Sequence, residues 1–272
     1  MEKTTPRNRD EKEIIGYRDV LNTIHESYEY IHISSSVILQ LHKNLYNYSG
    51  KGIGGQFKNT QNYIAEERTE GKMFVRFLPL EPFETPIAVE SLCENYNRVL
   101  NLCEIDPLIL IPNFILDFLC IHPFNDGNGR MSRLLTTLLL YKSGYMVGRY
   151  VSLESKIEHT KATYYDVLYE SSKLWREGRH DAMPFVKYLL RLILASYREF
   201  EDRVDMVGEK NTAITIVKKA VMQKLGKFTK TEIMEMCPTI GKTSTENALK
   251  ILVAEGTLEI HGKGRATFYT IK

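Results

Sequence analysis

The sequence predicts a mainly α-helical protein in which strands are confined to two short segments. Apolar residues fill long stretches or recur in them at helical spacing, at residues 107–120, 131–142 and 182–203. Alternation typical of strands occurs around residues 50–67 and in the final fifteen residues. Because the chain has 272 residues, we expect about two domains.

Composition and charge are those of an ordinary globular protein, with 43% hydrophobic and 26% charged residues. No run of about 18 apolar residues is present and the polar start lacks a signal core, so we expect a cytoplasmic protein without a membrane span. The four cysteines have neither metal-ligand nor redox spacing, which favours buried thiols. The net charge of +2 conceals a basic tail, because residues 209–272 hold 11 Lys and Arg against 6 Glu.

The first predicted domain, residues 1–207, begins with two helices and then changes character. The Gly-rich and then alternating segment GKGIGGQFKNTQNYIAEE predicts a loop followed by a β-hairpin or flap. Its neighbour FVRFLPLEPFETP carries three prolines and is expected to be extended. Pro112 is expected to start or kink the helix that contains it. The helices of this domain are predicted at residues 11–32, 37–45, 86–102, 107–120, 131–142, 155–173 and 182–203.

The second predicted domain, residues 208–272, follows a polar linker, GEKNT. IVKKAVMQKL is an amphipathic helix, FTKTEIMEMCP is a short helix with a Thr cap, and the helix in IGKTSTENALKILVAEG ends at Gly256. The last segment, LEIHGKGRATFYTIK, reads as two short strands around a basic glycine turn. Three helices followed by a hairpin are the pattern of a winged helix-turn-helix domain.

One polar stretch, HPFNDGNGR at residues 122–130, separates two very apolar helices. A sharp turn at DGNG followed by a helix from Asn128 would leave the first helix amides without partners, and such a place binds phosphate. Arg130 and Arg133 lie in the first turns of that helix and are expected to reach the same phosphate site, and two guanidiniums there suit a polyphosphate. Asp126 beside these donors makes sense if Mg²⁺ joins it to the phosphates.

His122 closes the preceding helix, and Pro123 prevents that helix from continuing. A neutral imidazole there can take a proton from an incoming hydroxyl. Phe124 is expected to point into the core and anchor the loop. Each feature alone has a plainer explanation, namely a helix cap, a turn or a solvated face, but a mere turn requires neither the His nor both Arg.

These residues carry a family resemblance. HPFNDGNGRMSR matches the motif of Fic-domain (Fic/DOC) proteins, H-P-F-x-[D/E]-G-N-G-R-x-x-R, at every specified position. GGQFKNTQNYIAE resembles the family's flap, with Gly54 in place of the usual Pro and Lys58 in place of the usual Arg. The resemblance covers roughly residues 11–205, and the tail resembles the winged-helix domain that follows many bacterial Fic cores.

The resemblance implies a Fic-type helical core that transfers AMP from ATP and Mg²⁺ to a Ser, Thr or Tyr hydroxyl of a target protein. It implies His122 as the general base and Asp126 as the Mg²⁺ ligand. The flap, about residues 54–64, would clamp the target segment by strand addition. The other residues that the resemblance assigns are those of the nucleotide site (Phe124, Gly127, Asn128, Gly129, Arg130, Arg133, Tyr164, Tyr165) and those of the flap (Gly55, Gln56, Phe57, Lys58). Ser172 stands where many relatives have an Asn, which leaves the base selectivity open.

A regulatory motif of many Fic proteins, [S/T]-x-x-x-E-[G/N], is not found. TEIME at residues 231–235 has the spacing, but Met236 follows it. In similar proteins the inhibitory helix precedes a segment like EIIGYRDVL, so here it would fall before Met1. We therefore expect a constitutively active chain, or an inhibitory Glu supplied by another chain.

Two alternatives to AMP transfer remain open, a DNA-binding regulator and an inactive site. The Fic-like core could sense nucleotide for a DNA-binding regulator, with the helix at about 243–254 in the major groove and Lys263 and Arg265 on phosphate. The segment TSTENALKILVAEG holds one Lys and two Glu, however, so we favour a protein contact or a dimer for the tail. The helix at 182–203 is a candidate homodimer surface. A degraded, inactive site is the weakest alternative, since no motif position is lost.

Overall fold

The computed structural model describes residues 9–50, 52–68, 72–208, 212–224, 226–262, 264 and 267–272. The described residues are mostly helical, as predicted, and they fall into two units, residues 1–200 and 201–272. The predicted domain boundary after residue 207 stays a prediction, because a helix, Met183–Gly208, contains residues of both units. Of the helices described, none is both long enough and apolar enough to cross a membrane.

The first unit consists of helices with one hairpin between the second and third of them. In chain order its elements are α1 (Arg9–Ser27), α2 (Ser35–Leu45), β1 (Ile64–Arg68), β2 (Lys72–Phe77), α3 (Thr85–Leu102), α4 (Pro107–Ile121), α5 (Asn128–Lys142), α6 (Leu153–His159), α7 (Lys161–Ser172) and most of α8 (Met183–Gly208).

Helices α4 and α5 lie at the centre of this unit, as their apolar sequences predict. Phe114 and Phe118 of α4 and Leu134 and Leu138 of α5 are each at most 2% exposed. The prediction that Pro112 starts or kinks its helix is wrong about the start, because α4 begins at Pro107 and continues through Pro112. Asp106 explains the earlier start, since its side chain accepts a hydrogen bond from the Leu108 amide at 2.8 Å.

The helix predicted at 155–173 is divided in two. Thr160 ends α6 and precedes α7 with φ −114° and ψ 25°, outside helical geometry. Its hydroxyl forms a hydrogen bond of 2.7 Å with the Tyr188 hydroxyl of α8. This tertiary contact holds the chain at the break, where the local sequence alone favours a continuous helix.

The hairpin lies later in the chain than predicted. β1 and β2 pair antiparallel, with Ile64 opposite Phe77 and Glu66 opposite Phe74. The strand-typical residues FVRF, expected to be an extended connection, therefore form the second strand, while residues 54–63 form turns and loop before the first. The segment predicted as the flap, about 54–64, is thus mostly loop, with β1 and β2 following it, and its role in binding a target stays a prediction.

The described part of the second unit contains α9 (Ala213–Met222), α10 (Lys230–Met236), α11 (Lys242–Ala254) and the antiparallel pair β3 (Leu258–His261) and β4 (Phe268–Ile271). The predicted Thr cap is observed, since the Thr229 hydroxyl accepts a hydrogen bond from the Glu232 amide. The winged-helix interpretation remains a prediction, and Lys263 and Arg265 lie outside the described residues.

Candidate functional site

The loop between α4 and α5 is built from two left-handed backbone positions. His122 ends α4 with φ 52°, and Gly127 precedes α5 with φ 87°. Left-handed backbone geometry is costly for residues other than glycine, so the surrounding structure must hold His122 in this conformation. Pro123 follows His122 and has no amide with which to extend α4.

The interior of the loop is fastened by Asn128 and Phe124. Asn128 accepts a hydrogen bond from the Phe124 amide at 2.9 Å and donates one to the Phe124 carbonyl at 2.7 Å. The Phe124 ring is fully buried, as expected, and stacks on the His42 ring with centroids 3.7 Å apart. Phe124 is therefore an anchor in the core, and its side chain does not line the cavity described below.

His42 is a site residue that sequence reasoning missed. Its Nδ1 accepts a hydrogen bond from the Gly55 amide at 3.0 Å, so Nε2 carries the proton and donates to the Asp126 carbonyl at 3.1 Å. Burial lowers the pKa of His42 to about 4, and the ring is therefore neutral at pH 7. One side chain of α2 thus ties the motif loop to the segment that precedes the hairpin.

The amides at the start of α5 remain available. Among the described residues, the amides of Gly127, Asn128 and Gly129 have no hydrogen-bond acceptor. Gly127 also has no room for a side chain, since a Cβ there would lie 2.9 Å from the Tyr46 hydroxyl oxygen. Free amides at a helix N-terminus favour an anion.

His122 has the hydrogen bonding of a base. Its Nδ1 lies 3.2 Å from the Leu119 carbonyl oxygen, which can only accept, so Nδ1 carries the proton in the neutral ring and Nε2 keeps its lone pair. Burial, assisted by the positive charge of Lys58, lowers the pKa of His122 to about 4. The imidazole is therefore neutral and able to accept a proton at pH 7.

A cavity of about 670 Å³ joins the motif to the hairpin and α7. Its volume is in the range of small-molecule sites. His122, Gly129 and Arg133 are at its motif end, and both predicted tyrosines, Tyr164 and Tyr165, are in its wall. The remaining wall is mostly apolar and comes from β1, β2, α4 and α7: Ile64, Ala65, Phe77, Leu116, Leu119, Cys120 and Leu168.

The two motif arginines have different surroundings, contrary to the expectation that both reach one phosphate site. Arg133 lines the cavity, and its Nε donates to Glu154 at 2.6 Å. Arg130, like Asp126, Gly127 and Asn128, does not line it. The Arg130 guanidinium instead donates to Glu13 at 2.9 Å and to Asp126 at 3.3 Å.

Lys58, predicted to contact a target, is 3% exposed. Its Nζ donates to the Ile121 carbonyl at 3.1 Å and to the Asn62 side chain at 3.2 Å, and its amide donates to the Pro123 carbonyl at 2.8 Å. Burial lowers the pKa of Lys58 to about 8. Lys58 therefore holds the start of the motif loop from the protein interior. Of its predicted companions, Gln56 is exposed, whereas Gly55 and Phe57 are half-buried.

Asp126 is the candidate metal ligand. Among the described residues, no group of three or more His, Cys, Asp and Glu could hold a metal by itself. A single half-buried carboxylate beside an anion site nevertheless fits Mg²⁺, which in phosphate sites takes one or two protein carboxylates and fills its remaining positions with phosphate oxygens and water.

Comparisons with known proteins agree with this architecture. Residues 32–140 match the model of the Fic/DOC family. Protein adenylyltransferase fic-1 of Caenorhabditis elegans is 27% identical over 195 residues, which is 71% of this chain and 34% of that protein. Protein adenylyltransferase Fic of Drosophila erecta is 30% identical over 66% of this chain and 32% of its own length. The chain thus spans about a third of the length of these curated relatives.

A solved structure of Fic-1 from Caenorhabditis elegans superimposes with a TM-score of 0.58 and 25% identity, covering 76% of this chain and 56% of that one. The likeness confirms the predicted helical fold class.

Proposed function

We propose that the protein, whose residues 32–140 match the model of the Fic/DOC family, transfers AMP from ATP to a Ser, Thr or Tyr hydroxyl of a target protein. One observation carries the proposal. His122, with a free Nε2 lone pair, shares a cavity with Gly129 of the unpartnered helix N-terminus and with Arg133. Relatives named protein adenylyltransferase support the same activity.

In the proposed reaction, His122 Nε2 removes the proton of the target hydroxyl. The hydroxyl oxygen attacks the α-phosphorus of ATP, the bond from that phosphorus to the bridging oxygen breaks, and pyrophosphate leaves. The amides of Gly127, Asn128 and Gly129 stabilise the charge that develops on the phosphate oxygens. Arg133 holds the distal phosphates. Asp126 would hold Mg²⁺, which supplies further neutralisation of the phosphate charge when bound.

The base is proposed to lie in the apolar part of the cavity, beside α7. Tyr165 is 44% exposed and can stack on a purine, while Tyr164 is 5% exposed and backs the wall. Ser172 is also in this wall, but its hydroxyl donates to the Tyr169 carbonyl at 3.1 Å. The hydroxyl proton is therefore engaged and only the oxygen lone pairs can meet a base, so discrimination among nucleobases is proposed to rest mainly on shape and stacking.

The target segment is proposed to pair with the β1–β2 hairpin rather than with residues 54–58. A two-stranded sheet leaves strand edges on which an extended peptide can form backbone hydrogen bonds. The hairpin also contributes Ile64, Ala65 and Phe77 to the cavity wall. A bound segment would therefore bring its hydroxyl to the cavity that holds His122.

Substitution of His122 tests the activity. We expect His122→Ala to lower transfer of label from α-³²P-ATP to protein by about 10²-fold or more, while ATP affinity is largely retained. The matched control is His159→Ala, because His159 is an exposed histidine of α6 outside the cavity. Unchanged transfer in His122→Ala, or an equal loss in both variants, would contradict the assignment of the base.

The second unit is proposed to be a winged-helix domain that contacts protein. Its described elements, three helices and then a two-stranded hairpin, have the order of that fold. α11 holds two lysines, Lys242 and Lys250, and one acidic residue, Glu246, which pairs with Lys230 at 2.6 Å, so the helix that would have to enter a DNA groove offers little positive charge. A salt-sensitive gel shift with duplex DNA would instead favour the DNA-binding alternative.

A further inference from the structure

We infer that helix α1 belongs to the site and gives the two motif arginines different roles. Through Glu13 it holds Arg130 on the Asp126 carboxylate, and through Tyr17 and Glu154 it holds Arg133 with its Nη groups toward the cavity. This inference rests on the proposed function. Glu13 and Tyr17 of α1 carry it, together with Glu154 of α6.

Arg130 is enclosed by acceptors on the side away from the cavity. Its Nη1 donates to Glu13 Oε2 at 2.9 Å, while its Nη2 donates to the Tyr46 hydroxyl at 2.7 Å and to Asp126 Oδ1 at 3.3 Å. Its guanidinium carbon lies 5.2 Å from the centroid of the Tyr46 ring. With both Nη groups engaged, Arg130 orients the Asp126 carboxylate and leaves the phosphates to other donors. It is a positioning residue.

Arg133 is held from one edge. Its Nε donates to Glu154 Oε2 at 2.6 Å, and the same oxygen accepts a hydrogen bond from the Tyr17 hydroxyl at 2.8 Å. Among the described residues its Nη groups have no acceptor at hydrogen-bond distance, although the Tyr17 hydroxyl also interacts with the guanidinium. A Cβ at Gly129 would lie 3.4 Å from Arg133 Nη1, so the free end of the guanidinium lies against the first turn of α5.

Glu154 therefore occupies the Nε edge and leaves the Nη edge for anionic oxygens. A guanidinium binds phosphate best when two of its N–H groups meet two oxygens in a fixed plane. Restraining Nε removes side-chain freedom that a ligand would otherwise have to freeze. Glu154 is thus a positioning residue for Arg133, and Tyr17 is a positioning residue for Glu154.

Helix α1 couples the two arginines because Glu13 and Tyr17 are one turn apart on one face. The position of α1 is restricted by Gly16, where a Cβ would come within 2.1 Å of the Leu45 carbonyl oxygen of α2. Close packing at Gly16 sets the depth at which both side chains reach the motif. A displacement of α1 would therefore alter the Glu13 and Tyr17 contacts together.

Nucleotide binding, measured by calorimetry on the full chain, tests whether Glu154 and Tyr17 position Arg133. We expect Glu154→Ala to raise the Kd of Mg-ATP about tenfold and the Kd of AMP less than about twofold, because AMP lacks the distal phosphates. Glu154→Gln keeps an acceptor for Nε and should give a smaller rise, and Tyr17→Phe should raise the Kd of Mg-ATP about threefold. Glu158→Ala is the control, since Glu158 is one turn further along α6 and pairs on the surface with Lys161.

The proposal that Glu13 and Arg130 orient Asp126 is tested by Glu13→Gln, with ATP titrated in Mg²⁺ and in EDTA. Loss of affinity with Mg²⁺ but not with EDTA supports a role through Asp126, and equal loss in both overturns it. An unchanged or lower Kd of Mg-ATP in Glu154→Ala overturns the positioning role and indicates that Glu154 competes with the phosphates. Equal losses for ATP and AMP in that variant overturn it as well. Absence of ATP binding by the unaltered chain would instead defeat the proposed function.

Discussion

Replacing Gly127 by alanine is the most informative perturbation of the motif loop, because two separate physical costs meet at this residue. Gly127 has φ 87°, and its added Cβ would lie 2.9 Å from the Tyr46 hydroxyl oxygen and 3.0 Å from Tyr46 Cε2. Tyr46 is 3% exposed and its hydroxyl accepts the hydrogen bond from Arg130, so the ring cannot move without breaking that contact.

The left-handed backbone costs about 1–2 kcal/mol for alanine, and loss of a hydrogen bond to a charged group costs about 1.5–3 kcal/mol. We therefore expect Gly127→Ala to lower the free energy of unfolding of the first unit by about 2.5–5 kcal/mol, the sum of these two terms. The free amides of the loop would also shift, so label transfer should fall by more than the loss of folded protein explains.

Gly144→Ala is the matched control, because Gly144 has φ 86° but nothing within 4 Å of an added Cβ. It should lose only the backbone cost of about 1–2 kcal/mol and keep transfer activity. Urea unfolding followed by Trp175 fluorescence measures both, since Trp175 is the only tryptophan and lies in the first unit. Equal losses of stability in the two variants would refute the contact with Tyr46 as a source of the cost.

Further predictions concern pH, phosphate binding, the metal and the second unit. The pKa of about 4 for both His122 and His42 lies below that of a histidine in the unfolded chain, so the unfolded chain binds more protons at low pH. The free energy of unfolding should therefore be highest above about pH 6.5 and fall toward pH 4, by at most about 1.4 kcal/mol per pH unit for each ring. Urea titrations at several pH values measure this fall. Transfer at limiting ATP should show no inflection near pH 6.5 from His122; an inflection there would contradict a buried neutral base. Arg133→Ala should raise the Kd of ATP about tenfold or more, measured by calorimetry, and leave that of AMP nearly unchanged. Treatment with EDTA should abolish transfer and added Mg²⁺ restore it; full activity in EDTA would remove the metal role of Asp126. Thr229→Ala should cost about 1 kcal/mol through loss of the α10 cap, seen by circular dichroism of the second unit but not by Trp175 fluorescence.

The sequence by itself determined the features that depend on neighbours along the chain. The apolar stretches predict the buried pair α4 and α5, and HPFNDGNGR predicts a turn, a helix beginning at Asn128 and free amides at its start. These follow from local rules, since helix periodicity, capping and glycine geometry act over a few residues. The Thr229 cap follows from the same kind of rule.

Only the tertiary structure decided which side chains meet across the fold. Glu13 reaches Arg130 and Glu154 reaches Arg133, over sequence separations of 117 and 21 residues. Lys58, placed in a flap by its neighbours, is instead buried beneath the motif. No local pattern specifies such pairs, because they depend on how helices pack and on which buried charge requires a partner. The separate surroundings of two arginines three residues apart are therefore a property of the fold.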